Sequence, residues 1–149
     1  MSDQVLLLIP SDPTYRPTVD DANRARDLLQ SFLPKADEVT VAFKDGVEFF
    51  DPGENWSGVA CAACGADAEP WWFDAMDAAS QAQFNDLIVT APCCGVRVSL
   101  NDLRYAWPAA FGCFALEAVN PSENELTAEQ MGELQKVIGH SLRAVWARV

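Results

Sequence analysis

Four cysteines stand in two pairs: Cys61-Ala62-Ala63-Cys64-Gly65 and, after 28 intervening residues, Ala91-Pro92-Cys93-Cys94-Gly95. Thiols at such spacing bind a thiophilic metal, because the glycine of a Cys-x-x-Cys-Gly knuckle lets the backbone turn sharply and aim its amides at the sulfurs. The second segment has the proline and the Cys-Gly of a Cys-Pro-x-Cys-Gly knuckle. Ala91, however, stands where its first cysteine belongs, and Cys93 occupies a spacer position. Two knuckles from distant segments supply the tetrahedron that zinc requires. The expected site is one structural Zn2+ held by Cys61, Cys64, Cys93 and Cys94. Cys93 is the irregular member, since adjacent cysteines reach one metal only with unusual backbone angles, and Asp67, His140 or water are the alternatives for its place. Three thiolates plus water would make an open, catalytic metal site. Without metal, Cys93 and Cys94 would be a redox pair or a vicinal disulfide.

Other chemistry is sparse. Cys113 alternates with apolar residues and reads as a buried small hydrophobe. His140 is the single histidine and follows Gly139, which fits a role at a helix C-terminus and leaves no basis for a Ser/His/Asp set. The carboxylates show no acid/base spacing, and Gly53 and Gly58 belong to no phosphate loop. Trp56, Trp71 and Trp72 gather around the first knuckle, either packing it against the rest of the chain or offering an aromatic patch to a partner. Ser99 to Pro108 reads as a packed linker or a recognition loop.

Charge narrows the partners. Of 149 residues, the first 70 carry 5 Lys/Arg against 13 Asp/Glu and the remainder 5 against 9, for a formal charge of −12. Both halves repel nucleic acid and anionic membrane, so a basic protein partner is expected instead. Val5 to Ile9 is too short for a signal peptide or a membrane span. Five cysteines with metal-knuckle spacing predict reduced thiols in the cytoplasm.

The elements that must position the knuckles follow from periodicity. Val5 to Ile9 predicts a strand buried on both faces, closed by Pro10. Thr18 caps a helix whose Ala22, Ala25, Leu29, Phe32 and Leu33 face inward up to Pro34. Glu38 to Phe43 alternates as a strand, and Asp45-Gly46 predicts a tight turn returning Val47 to Phe50 as its hairpin partner. An insert over 55–108 then carries both knuckles, with a helix expected from about Asp74 to Phe84 between them. Leu87 to Thr90 and Val96 to Leu100 are the strands either side of the second knuckle. Phe111 to Val119 is a strand apolar on both faces. Thr127 and Gln130 form a capping box before a helix ended by Gly139, and Leu142 to Val149 finishes as a strand or, alternatively, as helix. Strand-helix-strand, insert, strand-helix-strand predicts one α+β domain over 1–149. Its expected form is a ferredoxin-like split βαβ antiparallel sheet with an inserted zinc-ribbon-like module.

Pro92-Cys93-Cys94-Gly95, Ser99-Leu100-Asn101-Asp102-Leu103 and Trp107-Pro108-Ala109 together resemble a pattern in uncharacterised bacterial proteins of similar size. Leu8-Ile9-Pro10-Ser11-Asp12-Pro13 and Leu142-Arg143 extend the likeness over most of the chain. That family has no established activity; the resemblance implies a bacterial cytosolic protein with a metal knuckle and nothing about substrate. The expected function is a non-enzymatic, zinc-stabilised acidic interaction module, such as a bacterial immunity or adaptor protein. The alternative from another class is a thiol- or zinc-dependent enzyme acting through Cys93 and Cys94.

Overall fold

The apolar run near the N-terminus forms β1 (Gln4–Pro10), with Leu6 to Ile9 buried. α1 (Val19–Phe32) follows, its N-terminus closed by the Thr18 hydroxyl, which accepts the Asp21 amide at 3.1 Å. The computed structural model describes residues 3–122 and 125–149. After β2 (Glu38–Phe50) come β3 (Val59–Ala60), α2 (Glu69–Gln81), β4 (Ile88–Thr90), β5 (Arg97–Ser99), a short 3-10 turn (Leu100–Asp102) and β6 (Arg104–Tyr105). β7 (Ala110–Val119), α3 (Ala128–Ile138) and β8 (Leu142–Arg148) complete the chain. Leu142 to Arg148 is strand, so the helical alternative for the C-terminal segment is excluded.

The architecture is α+β. Four strands make one sheet in the order β2-β7-β1-β8, with every neighbouring pair antiparallel. α1 and α3 cover a single face of it, burying Ala22, Ala25, Leu29, Leu134 and Ile138 against Leu6, Leu8, Phe114 and Leu116. The Thr127–Gln130 capping box closes the start of α3 in both directions, and Leu126 and Met131 pack against the same cluster. Among the described residues no helix is long and apolar enough to cross a membrane.

Two local expectations give way. Asp45-Gly46 makes no hairpin: β2 continues through it, and both of its halves pair with β7, from Glu38↔Val119 to Phe50↔Ala110. Between Phe43↔Phe114 and Glu48↔Gly112 the β2 chain advances five residues against two, a bulge that bends the ribbon. A ten-residue β7 offers pairing groups along its whole length, and continued pairing satisfies more of the backbone than a return turn would. α2 starts five residues earlier than the apolar pattern indicated. Pro70 in its first turn and the Asp67 carboxylate, which accepts the Glu69 amide at 3.0 Å, set the start, so Asp74 is an interior residue and not a cap.

The bend has a long-range consequence. It carries Phe50 and Ala110 onto Leu7, Ile9 and Val145 on the face of the sheet that the helices leave open. The chain just beyond then reaches the opposite edge. There Arg148 donates its amide to the Pro52 carbonyl, the Glu54 amide donates to the Arg148 carbonyl, and the Asn55 side chain bonds the Trp146 carbonyl. The free edge of β8 is thereby covered at its C-terminal end.

On its other side the bent ribbon presents Val47, Phe49 and Phe111 to the segment between β2 and β7. Trp72 packs there against Trp56 and Phe49, and its indole N–H donates to the Tyr105 hydroxyl, which in turn donates to the Leu100 carbonyl. Burial pushes the Tyr105 phenol up to about 12, keeping it a neutral donor. These tryptophans are packing residues. Ser99 to Pro108 is likewise a packed linker: Asn101, buried at 4 % exposure, donates from its side chain to the Ser11 carbonyl and accepts the buried Phe111 amide at 2.9 Å. Arg143 clamps the same turn from β8, bonding the Asn101 carbonyl and the Asp102 carboxylate. Asn101→Ala leaves the Phe111 amide buried without an acceptor and should cost about 1–3 kcal/mol, read as a lower urea midpoint with unchanged slope.

Candidate metal centre

The first knuckle follows β3, and the second is the tip of a hairpin formed by β4 and β5, with Ile88↔Ser99, Val89↔Val98 and Thr90↔Arg97 in register. Both knuckles have one backbone design. In the first, the Cys61 amide donates to the Ala66 carbonyl at 2.8 Å and the Gly65 amide to the Cys61 carbonyl at 2.9 Å. In the second, the Ala91 amide donates to the Val96 carbonyl at 2.8 Å and the Gly95 amide to the Ala91 carbonyl at 2.7 Å. Gly65 (φ +76°) and Gly95 (φ +74°) hold the left-handed conformation that these turns need. Ala91 is thus the counterpart of Cys61, and Cys94 that of Cys64. Cys93 matches the spacer Ala63.

The irregular cysteine nonetheless completes the set. The sulfurs of Cys61, Cys64, Cys93 and Cys94 all lie within 4.8 Å of one another, close enough to hold one metal ion. Cys61 and Cys94 are 3.8 Å apart and Cys64 and Cys93 3.4 Å apart. Four thiolates around one tetrahedral zinc stand about 3.8 Å from each other, so the donor set fits that ion. Cys61 and the Ala91 methyl are buried, whereas Cys64, Cys93 and Cys94 are exposed. The site sits at a surface tip over a closed base.

The alternatives for the fourth ligand are placed elsewhere. Asp67 is engaged by the Glu69 amide. His140 is half-buried, bonded to Ser141 and packed with its ring 4.9 Å from that of Tyr15. Nor does His140 close the end of α3: the Tyr15 hydroxyl donates to the Ile138 carbonyl at 2.6 Å and does so instead. Cys113 is buried, with its thiol directed to the Tyr15 carbonyl at 3.5 Å. Sequence reasoning missed Tyr15, whereas the Asn101 bonds to backbone groups match the packed-linker reading of Ser99 to Pro108.

Backbone amides differentiate the thiols. The Cys64 and Ala63 amides, aimed at the Cys61 sulfur, outweigh its burial and hold that thiol down at about 6. Cys93 is pushed up to about 12, first by its hydrogen bond with Cys64, then by desolvation and the Cys61 and Cys94 sulfurs. At Cys94 the Val96 amide pulls down, but desolvation and the Cys61 and Cys64 sulfurs leave the thiol raised. Metal-free protein near neutral pH therefore keeps a thiolate at Cys61 and protons on Cys93 and Cys94. A divalent cation would displace those protons.

Relocating the fourth sulfur tests the assignment. Cys93→Ala should abolish the four-thiolate charge-transfer spectrum of cobalt-substituted protein. Adding Ala91→Cys should restore it, because the Ala91 side chain occupies the buried knuckle position equivalent to Cys61. Comparison with known proteins finds no matching family model, no similar curated protein and no similar solved structure.

Proposed function

We propose that this chain is a non-enzymatic interaction protein, stabilised by one structural zinc, whose acidic surface binds a basic protein partner. In fold terms it is a ferredoxin-like split βαβ sheet with a zinc-ribbon-like insert. β7 lies between β1 and β2, and β1 between β7 and β8, which is the interleaving a split βαβ pair requires. Zinc is supported by four sulfurs at tetrahedral spacing and by the paired knuckle backbones. The free thiols and the resemblance to bacterial cytosolic proteins support a reducing, cytoplasmic setting.

The observation that carries the interaction reading lies on α2. Phe73 is 62 % exposed, and an open cleft of about 480 Å³ beside it is lined by Phe73, Asp74, Met76, Asp77, Ser80 and Phe84. The helix carries Glu69, Asp74 and Asp77 and no lysine or arginine. An apolar anchor ringed by carboxylates suits a basic segment bearing one apolar side chain. Exposure of Cys93 and Cys94 favours the thiol-enzyme alternative, which requires turnover that is lost on Cys93→Ser.

Zinc affinity should fall as pH is lowered, because Cys93 and Cys94 must surrender protons to the solvent on binding. The fall should steepen below about 6, where Cys61 is protonated before metal arrives and a further proton must leave. Chelator competition across that range reads the slope. For the partner, cross-linking in native cells should recover a basic protein that the combined Phe73→Ala, Asp74→Asn and Asp77→Asn variant loses at an unchanged melting temperature. Undiminished recovery by that variant, or an acidic partner, would refute the α2 surface.

A further inference from the structure

The sulfur geometry of the metal cluster has a polarity that a purely structural clasp does not need. Cys64 and Cys93 come from different knuckles, both are exposed, and their sulfurs are 3.4 Å apart. Cys61 is fully buried and faces Cys94 at 3.8 Å. A disulfide needs about 2.0 Å between sulfurs, which side-chain rotation at two exposed residues of opposing loop tips can supply. The neighbouring Cys93 and Cys94 are the less suitable pair, because their bond would close a strained ring through a single peptide.

We infer that the cluster is a peroxide-responsive clasp, in which Cys64 and Cys93 are oxidised to a disulfide joining the two knuckles and the metal is released. The inference rests on the zinc reading above and adds a redox response to it. One exposed thiolate of the pair attacks a peroxide oxygen; the O–O bond breaks, hydroxide leaves, and a sulfenic acid forms. The second thiolate attacks that sulfur; the S–O bond breaks, another hydroxide leaves, and the disulfide forms. Two electrons pass from the sulfurs to the peroxide, and two protons convert the hydroxides to water. Cys61 and Cys94 remain as two thiolates, too few to retain zinc in a closed four-thiolate site.

The aromatic cluster that contains Trp72, Leu100 and Phe111 includes no cysteine, so its packing does not depend on which bond joins the tips. Oxidation therefore exchanges a metal cross-link for a covalent one without unfolding the insert.

The test begins with zinc content, then treats zinc-loaded protein with limiting hydrogen peroxide, a chromogenic chelator reporting free metal and peptide mapping reporting disulfides. The expected result is roughly one zinc released per peroxide consumed, a Cys64–Cys93 disulfide, and recapture of zinc after reduction. Zinc retained under excess peroxide would overturn the inference, and so would release accompanied by a Cys93–Cys94 disulfide or by over-oxidised thiols alone. Protein that binds no zinc before oxidation would overturn the metal reading separately, and mapping the oxidised metal-free chain would then decide the Cys64–Cys93 pairing by its presence or absence.

Discussion

β2 and β7 pair over a greater length than the other strands of the sheet can match, and the surplus organises the molecule. Within the sheet the ribbon supplies Val39, Phe114 and Leu116 to the core under α1 and α3. Past the bulge it leaves the sheet plane, and its two sides acquire different neighbours: Phe50 and Ala110 close over Leu7 and Ile9, while Phe49 and Phe111 receive the insert. Gly112 sits at the crossing point. A Cβ there would lie 2.6 Å from the Ile9 side chain, so the close approach of ribbon and sheet depends on having no side chain at that position. An insert entering after β2 and leaving before β7 is consequently anchored at both ends on one stiff support.

Two attachments hold the insert, and they differ in kind. At its base are buried apolar and aromatic groups, with Asn101 and Arg143 tying the exit turn to β1, β7 and β8. At its tip are four sulfurs from two loops, all within 4.8 Å of one another. The base contains Trp72, Leu100, Leu103 and Phe111 at 7 % exposure or less. A metal ion held by the four sulfurs would fix the tips relative to each other, while the base fixes the insert to the sheet.

Most of the sheet and its helices were legible because each carries an unambiguous local signal: an apolar run at β1, two-sided apolarity at β7, and capping residues at Thr18 and Thr127. The misreadings arose where tertiary pairing overrode local chemistry. Asp45-Gly46 has the residues of a tight turn, yet Gly46 has an ordinary backbone conformation and β7 recruits both flanks. The start of α2 was obscured because the bulky Trp71-Trp72-Phe73 run resembles a strand, whereas Pro70 marks a first helical turn. All four cysteines were identifiable from knuckle spacing. Cys93 was among them as the expected fourth ligand, but spacing left Asp67, His140 and water as alternatives; the three-dimensional register of the two loop tips is what brings its sulfur to the other three.

The displaced sulfur also explains why the tip is more open than a regular pair of knuckles. In the symmetric arrangement each loop would place its first sulfur inward, as Cys61 does, and its second outward. Alanine at position 91 keeps the inward slot filled by a methyl group, so the backbone turn survives without its sulfur. The replacement thiol has to approach from the spacer position, on the solvent side, where no backbone amide of its own knuckle supports it. The consequence is a donor set with one sheltered sulfur and three exposed ones. Shelter at Cys61 preserves the binding geometry, and exposure at Cys64, Cys93 and Cys94 leaves the site open to exchange with its surroundings. The base, with its own buried apolar and aromatic packing, does not draw on those sulfurs.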